Sequence, residues 1–287
     1  MKHVWLNHGD SEKPACFNPV HAIYDVIFAA GQAGIDRYER HGVRIPREKF
    51  QIVGRPQVDQ IKFVEPDSTI RRFGKTVLYA PTWKGAYRDS ELYSLPSGAH
   101  IVSELIARGC TVIFRAHPLN YRYANAKEYI AGIHEILEAD AKTSGRQHVW
   151  GTAAEKDMTT DDCFNASDAM ISDVSAVVTD YLQSGKPLSV VSVSKSRVEL
   201  LNEVPAAKAA YILEEDLSNL SEVLDGLLDD DVKASERDAM RKYYLGDFPE
   251  EKYAEAFLDA ARQMITAGQQ RSRTDAERDT AEGGNNE

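Results

Sequence analysis

Ser167-Asp168-Ala169-Met170-Ile171-Ser172-Asp173-Val174-Ser175, continued by Thr179-Asp180-Tyr181 and Lys186-Pro187-Leu188-Ser189-Val190-Val191, is an apolar run that ends in Ser-Asp-x-Ser and passes straight into a helical pattern. Such an order describes a strand delivering small polar residues to a helix start. The free backbone N–H groups of a first helical turn, the Ser172 and Ser175 hydroxyls and the positive end of the helix dipole would together favour a phosphate. Alternatively, Asp173 or Ser175 merely caps the helix.

Outward from this stretch, short apolar runs alternate with helical periodicity. Strands are predicted over 4–7, 25–29, 51–53, 76–80, 111–115, 148–150, 169–172 and 188–193, and helices over 32–41, 97–108, 124–141, 174–183, 217–228 and 251–265. This alternation predicts an α/β protein with parallel sheets covered by helices. Residues 58–72 are charged and contain Pro66, and they read as a linker. The expected organisation is a partial amino-terminal domain over 1–57, the linker, a larger domain over 73–268 whose last helix packs on its sheet, and a disordered tail over 269–287. About three strands precede the linker, too few for a complete doubly wound domain.

Composition narrows the function. The 287 residues are 43% hydrophobic and 28% charged, ordinary for a globular protein, and no run approaches the ~20 apolar residues that span a bilayer. The first residues lack the basic-then-apolar pattern of a signal peptide, so the chain is expected in the cytoplasm. A net charge of −11 argues against a nucleic-acid partner, so an anionic ligand needs a local positive pocket. Cys16, Cys110 and Cys163 are far apart without metal-ligand spacing and read as reduced structural thiols.

In α/β sheets ligands collect beyond the carboxyl ends of the strands. Four predicted ends carry chemistry: Asn7-His8-Gly9, Tyr79-Ala80-Pro81-Thr82-Trp83-Lys84, Arg115-Ala116-His117-Pro118 and the Ser172 to Ser175 turn. Taken singly, His8 or His117 is an ordinary loop histidine and Trp83-Lys84 a surface dipeptide. Taken together, period-two alternation sets Arg115 beside His117 where both approach an anion, and Thr82, Trp83 and Lys84 form a wall with a phosphate-binding cation. Asp180, one and a half turns beyond Ser175, either reaches a donor ribose or faces solvent, with solvent preferred.

These motifs, with His8-Gly9 followed by Lys13 and with Lys186-Pro187, resemble the CDP-glycerol glycerophosphotransferases, the teichoic acid primases and polymerases of Gram-positive bacteria. The resemblance extends from about Asn7 to Met264. It implies a GT-B-like arrangement of two Rossmann-like domains with parallel sheets, the amino-terminal one incomplete, and the donor nucleotide held mainly by the second. It implies transfer of glycerol phosphate from CDP-glycerol to a hydroxyl of a lipid-linked or polymeric acceptor, releasing CMP. This is cell-wall chemistry at the inner face of the membrane, where the protein would make peripheral contact. His8 and His117 fall on the family's functional histidines and the Ser172 to Ser175 turn on its donor-phosphate site. Lys13 and Asp10 lie on the acceptor side.

An unperturbed imidazole titrates near pH 6.5 and can take the proton of an attacking hydroxyl, a contribution of ~10²- to 10⁴-fold, which assigns the base to His8. Arg115, His117 and the helix start after Asp173 would stabilise the leaving CMP, with no cofactor required. A divalent metal is still possible through Asp173 or Asp180 but is not indicated, because their spacing lacks a dedicated carboxylate cage. Asp10 replaces the family's threonine, Val174 its tyrosine and Ala176 its second serine, and the chain begins almost at the His8 motif, shorter than family members. A non-catalytic nucleotide-binding protein and a nucleotide-sugar enzyme of the same fold therefore stand as alternatives.

Overall fold

The computed structural model describes residues 2–7, 12, 14–64, 75–85 and 92–266. Within them, β1 (Val4–Leu6), β2 (Val26–Ala29), α1 (Gln32–Arg40) and β3 (Phe50–Ile52) come first. They are followed by β4 (Thr76–Ala80), α2 (Gly98–Ala107), β5 (Thr111–Phe114), α3 (Ala124–Ser144), α4 (Thr160–Ala166), β6 (Ala169–Ser172) and α5 (Ala176–Tyr181). The chain continues through β7 (Leu188–Ser192), α6 (Arg197–Glu203), β8 (Tyr211–Glu214), α7 (Leu220–Leu228) and α8 (Ala234–Leu245), and a last helix, α9, runs over 253–266.

The described strands form two parallel sheets, one of three strands in the order β1-β2-β3 and one of five in the order β5-β4-β6-β7-β8. The strands of the larger sheet are apolar on both faces because both are covered. Leu78, Met170, Leu188 and Val190 point to a core shared with α4, α5 and α8, whereas Val77, Ile171, Val191 and Leu213 point to one shared with α2, α3 and α7. The chain leaves β4 for β5 on one side and returns to pair β6 on the other, which opens a crevice beyond the carboxyl ends of β4 and β6.

Several sequence expectations change, and α4 and α6 are helices that the periodicity did not predict. The strand expected over 148–150 is a single bridge from Val149 to Ile113. β8 and α8 were not expected: β8 follows the alanine-rich turn Pro205–Ala209, and the buried residues of α8 are Arg237, Tyr244 and Leu245, so two of three carry polar groups that hide an apolar stripe. The helix expected to pack within the 73–268 domain, α9, instead covers the first sheet. Phe257, Ala260 and Met264 pack on Phe28 and Val53, and the Asp59 carboxylate accepts the N–H groups of Tyr253 at 2.8 Å and Ala254 at 2.9 Å, capping α9 from a distance.

The expected linker also begins as packed chain. Val58 and Ile61 are buried in the larger core, and the Val64 N–H donates to the Ser184 carbonyl at 2.9 Å. Residues 65–72, like the tail over 269–287, lie outside the described residues.

Among the contacts that join the halves, two show clear chemical reasons. Gly31, before α1, approaches α8 so closely that a Cβ would lie 2.5 Å from the Tyr243 carbonyl oxygen and 2.7 Å from that of Tyr244. Its φ of −150° is open to any residue, so glycine is required here for space alone. Arg55, after Gly54 at φ +74°, forms a two-pronged ion pair with Asp180 of α5, from Nε to one carboxylate oxygen and from Nη2 to the other at 2.9 Å. Asp180 therefore faces the first unit and not solvent.

Gly31→Ala is expected to cost about 3 kcal/mol, the upper end for overpacking, because backbone meets backbone. Asp180→Ala is expected to cost about 3 kcal/mol, the low end for removing one partner of a largely buried pair. Urea unfolding measures both, and an unchanged midpoint in either variant would remove that contact from the account.

Candidate functional site

Trp83, after β4, and His117, after β5, stand side by side beyond the carboxyl ends of these neighbouring strands, their ring centroids 6.3 Å apart and their planes 26° from parallel. Backbone chemistry explains their placement. Beyond β4 the chain has left its ladder, and the buried Thr82 N–H finds its acceptor in the Asp173 carboxylate at 2.8 Å. The Thr82 carbonyl accepts from the Asn120 amide at 3.1 Å. Asn120 belongs to the 3₁₀ turn Pro118–Arg122, which His117 opens by accepting the Leu119 N–H on Nδ1 at 3.2 Å. Pro118 suits this turn because its first position needs no N–H donor. One buried amide thus locks the loop after β4 to the loop after β5.

The acceptor role of Nδ1 assigns the ring hydrogen of neutral His117 to Nε2. That edge is a hydrogen-bond donor, suited to an anionic oxygen rather than to proton removal. Lys84 follows Trp83 and is partly exposed. The structure thus brings Trp83, flanked by Thr82 and Lys84, beside His117.

The Ser172 to Ser175 turn differs from its expected role. Ser172 is fully buried and donates to the Ala80 carbonyl at 2.7 Å, so its hydroxyl braces β6 against β4. Asp173 is fully buried and accepts the N–H groups of Thr82 and Ser94, the latter at 3.1 Å to each oxygen, so among the described residues its carboxylate serves the backbone of two distant loops. Loop N–H donors claim Asp173, and a strand-end carbonyl claims the Ser172 hydroxyl. Burial, followed by the nearby Asp173 charge, pushes the Tyr79 hydroxyl well above its ordinary value, keeping it a neutral partner for Ser94 Oγ at 2.9 Å. Ser175 stands at the start of the six-residue α5, and its buried Oγ has no hydrogen-bond partner among the described residues.

Arg115, expected beside His117, donates from Nη1 to the carbonyls of Ala154 and, at 3.0 Å, Met158. β5 ends at Phe114, so the two-residue alternation that set Arg115 and His117 on one face does not extend to them. His8, Asp10 and Lys13 lie outside the described residues. Asn7, which precedes His8, lines a cleft of about 350 Å³ at the carboxyl ends of the first sheet, with Ile27, Phe28, Val53, Arg55 and Phe257 among its walls.

Sequence reasoning missed Asn120, Ser94 and Arg55. Arg55 had a signal, since Gly54-Arg55-Pro56 follows a strand end as the other motifs do. Asn120 and Ser94 had none, because their partners are backbone groups distant in the chain. Among the described residues no cluster of three His, Cys, Asp or Glu is placed to hold a metal, the three cysteines are buried thiols, and no helix is long and apolar enough to cross a membrane.

Among solved structures, a variant of the wall teichoic acid polymerase TagF soaked with CDPG is similar over 93% of this chain and 64% of its own, at 17% identity and a TM-score of 0.56. A second TagF variant matches over 93% and 65% at 15% identity and a TM-score of 0.56. A UDP-N-acetylglucosamine 2-epimerase from Listeria monocytogenes, described as putative, matches over 86% and 62% at 14% identity and a TM-score of 0.53. At these identities the likeness establishes the fold, two Rossmann-like units in the GT-B manner, and the chain spans less than two thirds of each of these structures. No curated protein matches the chain. The family described as CDP-glycerol:poly(glycerophosphate) glycerophosphotransferase matches residues 43–196, more than half of the chain and the part that holds β4, β5, β6 and their loops, and the protein belongs to that family.

Proposed function

We propose that the chain transfers glycerol phosphate, or a related polyol phosphate, from CDP-glycerol to a hydroxyl of a lipid-linked or polymeric teichoic-acid-like acceptor, releasing CMP. The observation that carries this reading is the pairing of Trp83 and His117 beyond the carboxyl ends of β4 and β5, inside the segment that matches the family. The Trp83 face offers a surface for stacking a base, Lys84 a cation and His117 Nε2–H a directed donor for the diphosphate. The acceptor oxygen attacks the phosphorus that carries glycerol, and the bond from that phosphorus to the bridging oxygen breaks. The acceptor proton passes to His8, and CMP departs with its charge met by His117 and Lys84. The cleft beginning at Asn7 is the proposed acceptor side, so acceptor and donor would meet between the two sheets.

A second reading, a non-catalytic binder of a cytidine diphosphate compound, draws support from the inward turn of Ser172 and Asp173 and the burial of Ser175 Oγ, which leave fewer phosphate contacts than expected. Calorimetric titration with CDP-glycerol, beside CMP and UDP-N-acetylglucosamine, together with an assay of CMP release, separates the two. Binding with CMP release supports transfer, and binding without release supports the second reading.

Within the transferase reading, His8→Ala is expected to abolish turnover while CDP-glycerol still binds, and unchanged turnover would refute the base assignment. His117→Ala is expected to lower kcat by about 10²-fold, as for loss of one donor to developing charge. Arg115→Lys is expected to leave donor affinity intact and to lower the unfolding midpoint, since its Nη1 serves carbonyl groups. Lost donor affinity without lost stability would return Arg115 to the binding site.

A further inference from the structure

Glu12 is nearly buried, its side chain 8% exposed, although it lies only four residues after His8 in the loop that follows β1. A carboxylate is removed from water only where partners replace its hydration. Here they come from two helices. On α1, Arg37 Nε stands 3.3 Å and Arg40 Nη1 3.4 Å from Oε2, one helical turn apart. On α8, the Tyr244 hydroxyl donates to Oε1 at 2.9 Å. Tyr244 is itself fully buried, and its oxygen accepts the Ala206 N–H at 3.2 Å from the turn Pro205–Ala209 of the larger unit. Burial, then the Glu12 charge, raises the Tyr244 hydroxyl far above its ordinary value, so it remains a donor.

Glu12, Ser175, Thr179 and Tyr244 are among the residues lining a cavity of about 10 Å³. The Glu12 side chain therefore meets the first unit through α1 and the second through Tyr244, whose oxygen is held by Ala206.

We infer that Glu12 is a positioning residue that anchors the chain, four residues beyond His8, to α1 and α8. The inference rests on the reading of His8 as the base. An untethered loop would leave the base free to wander, and a displacement near 1 Å costs up to about 10²-fold in rate. The donor, by contrast, is held on the other side of the crevice by β4 and β5.

The test uses the full chain with Glu12→Gln, which keeps an acceptor for Tyr244 and removes the charge that holds the arginines. Tyr244→Phe serves as a second variant that takes one hydroxyl from the same carboxylate. CMP release and calorimetric affinity for CDP-glycerol are read together with amide hydrogen exchange. Glu12→Gln is expected to lower kcat by about 10- to 100-fold with donor Kd changed by less than about twofold. The amides of residues 2–16 should exchange faster while those of β4 to β7 are unchanged, and Tyr244→Phe should show the same pattern more weakly. Wild-type turnover and exchange in Glu12→Gln would overturn the inference, as would a parallel loss of donor affinity and of protection throughout the larger sheet. His8→Ala in parallel keeps the two claims apart: full turnover there removes the base, whereas the exchange of residues 2–16 in Glu12→Gln reports the tether regardless of turnover.

Discussion

The Asp173 carboxylate is the fixed point of the larger unit. It sits fully buried at the end of β6 and accepts backbone N–H groups from Thr82 and Ser94, two loops more than 75 residues upstream in the chain. A buried carboxylate needs such donors in place of its hydration, and those N–H groups without an acceptor would each carry a desolvation cost of about 1–3 kcal/mol. Donors and acceptor therefore require each other. The placement of Trp83 and His117 follows, because Thr82 is held at its N–H by Asp173 and at its carbonyl by Asn120.

The relation between the units depends on α8 and α9. α8 lies against α1 where only a glycine fits, and its Tyr244 reaches Glu12 on one side and Ala206 on the other. α9 returns to cover the first sheet, so the chain crosses between the units again after completing the second. The Arg55–Asp180 pair spans the same boundary from the carboxyl end of α5.

The strands of the larger sheet were legible because a parallel sheet buried on both faces needs continuous apolar runs, and Thr76 to Ala80 and Ala169 to Ser172 are such runs. α8 was hidden because the residues it buries include an arginine and a tyrosine, which hydropathy counts as surface. At the site, Trp83 and His117 were legible from their position after strands, a consequence of topology that needs no side-chain partner. Ser172, Asp173 and Arg115 were equally visible as residue types, but what each bonds to is a carbonyl or amide elsewhere in the chain. No local pattern encodes that choice.

By itself the sequence determined the α/β class, the order of the principal elements, the strand ends that carry chemistry and the family likeness, since each depends on local periodicity or on residue type at short spacing. Only the tertiary structure decided that Ser172 and Asp173 turn inward, that Arg115 braces a carbonyl turn, that Asp180 pairs with Arg55, and that Glu12 is buried between two helices. A polar side chain goes to whichever unmatched donor or acceptor the packed backbone brings within reach, and that partner is set by three-dimensional proximity rather than by separation along the chain.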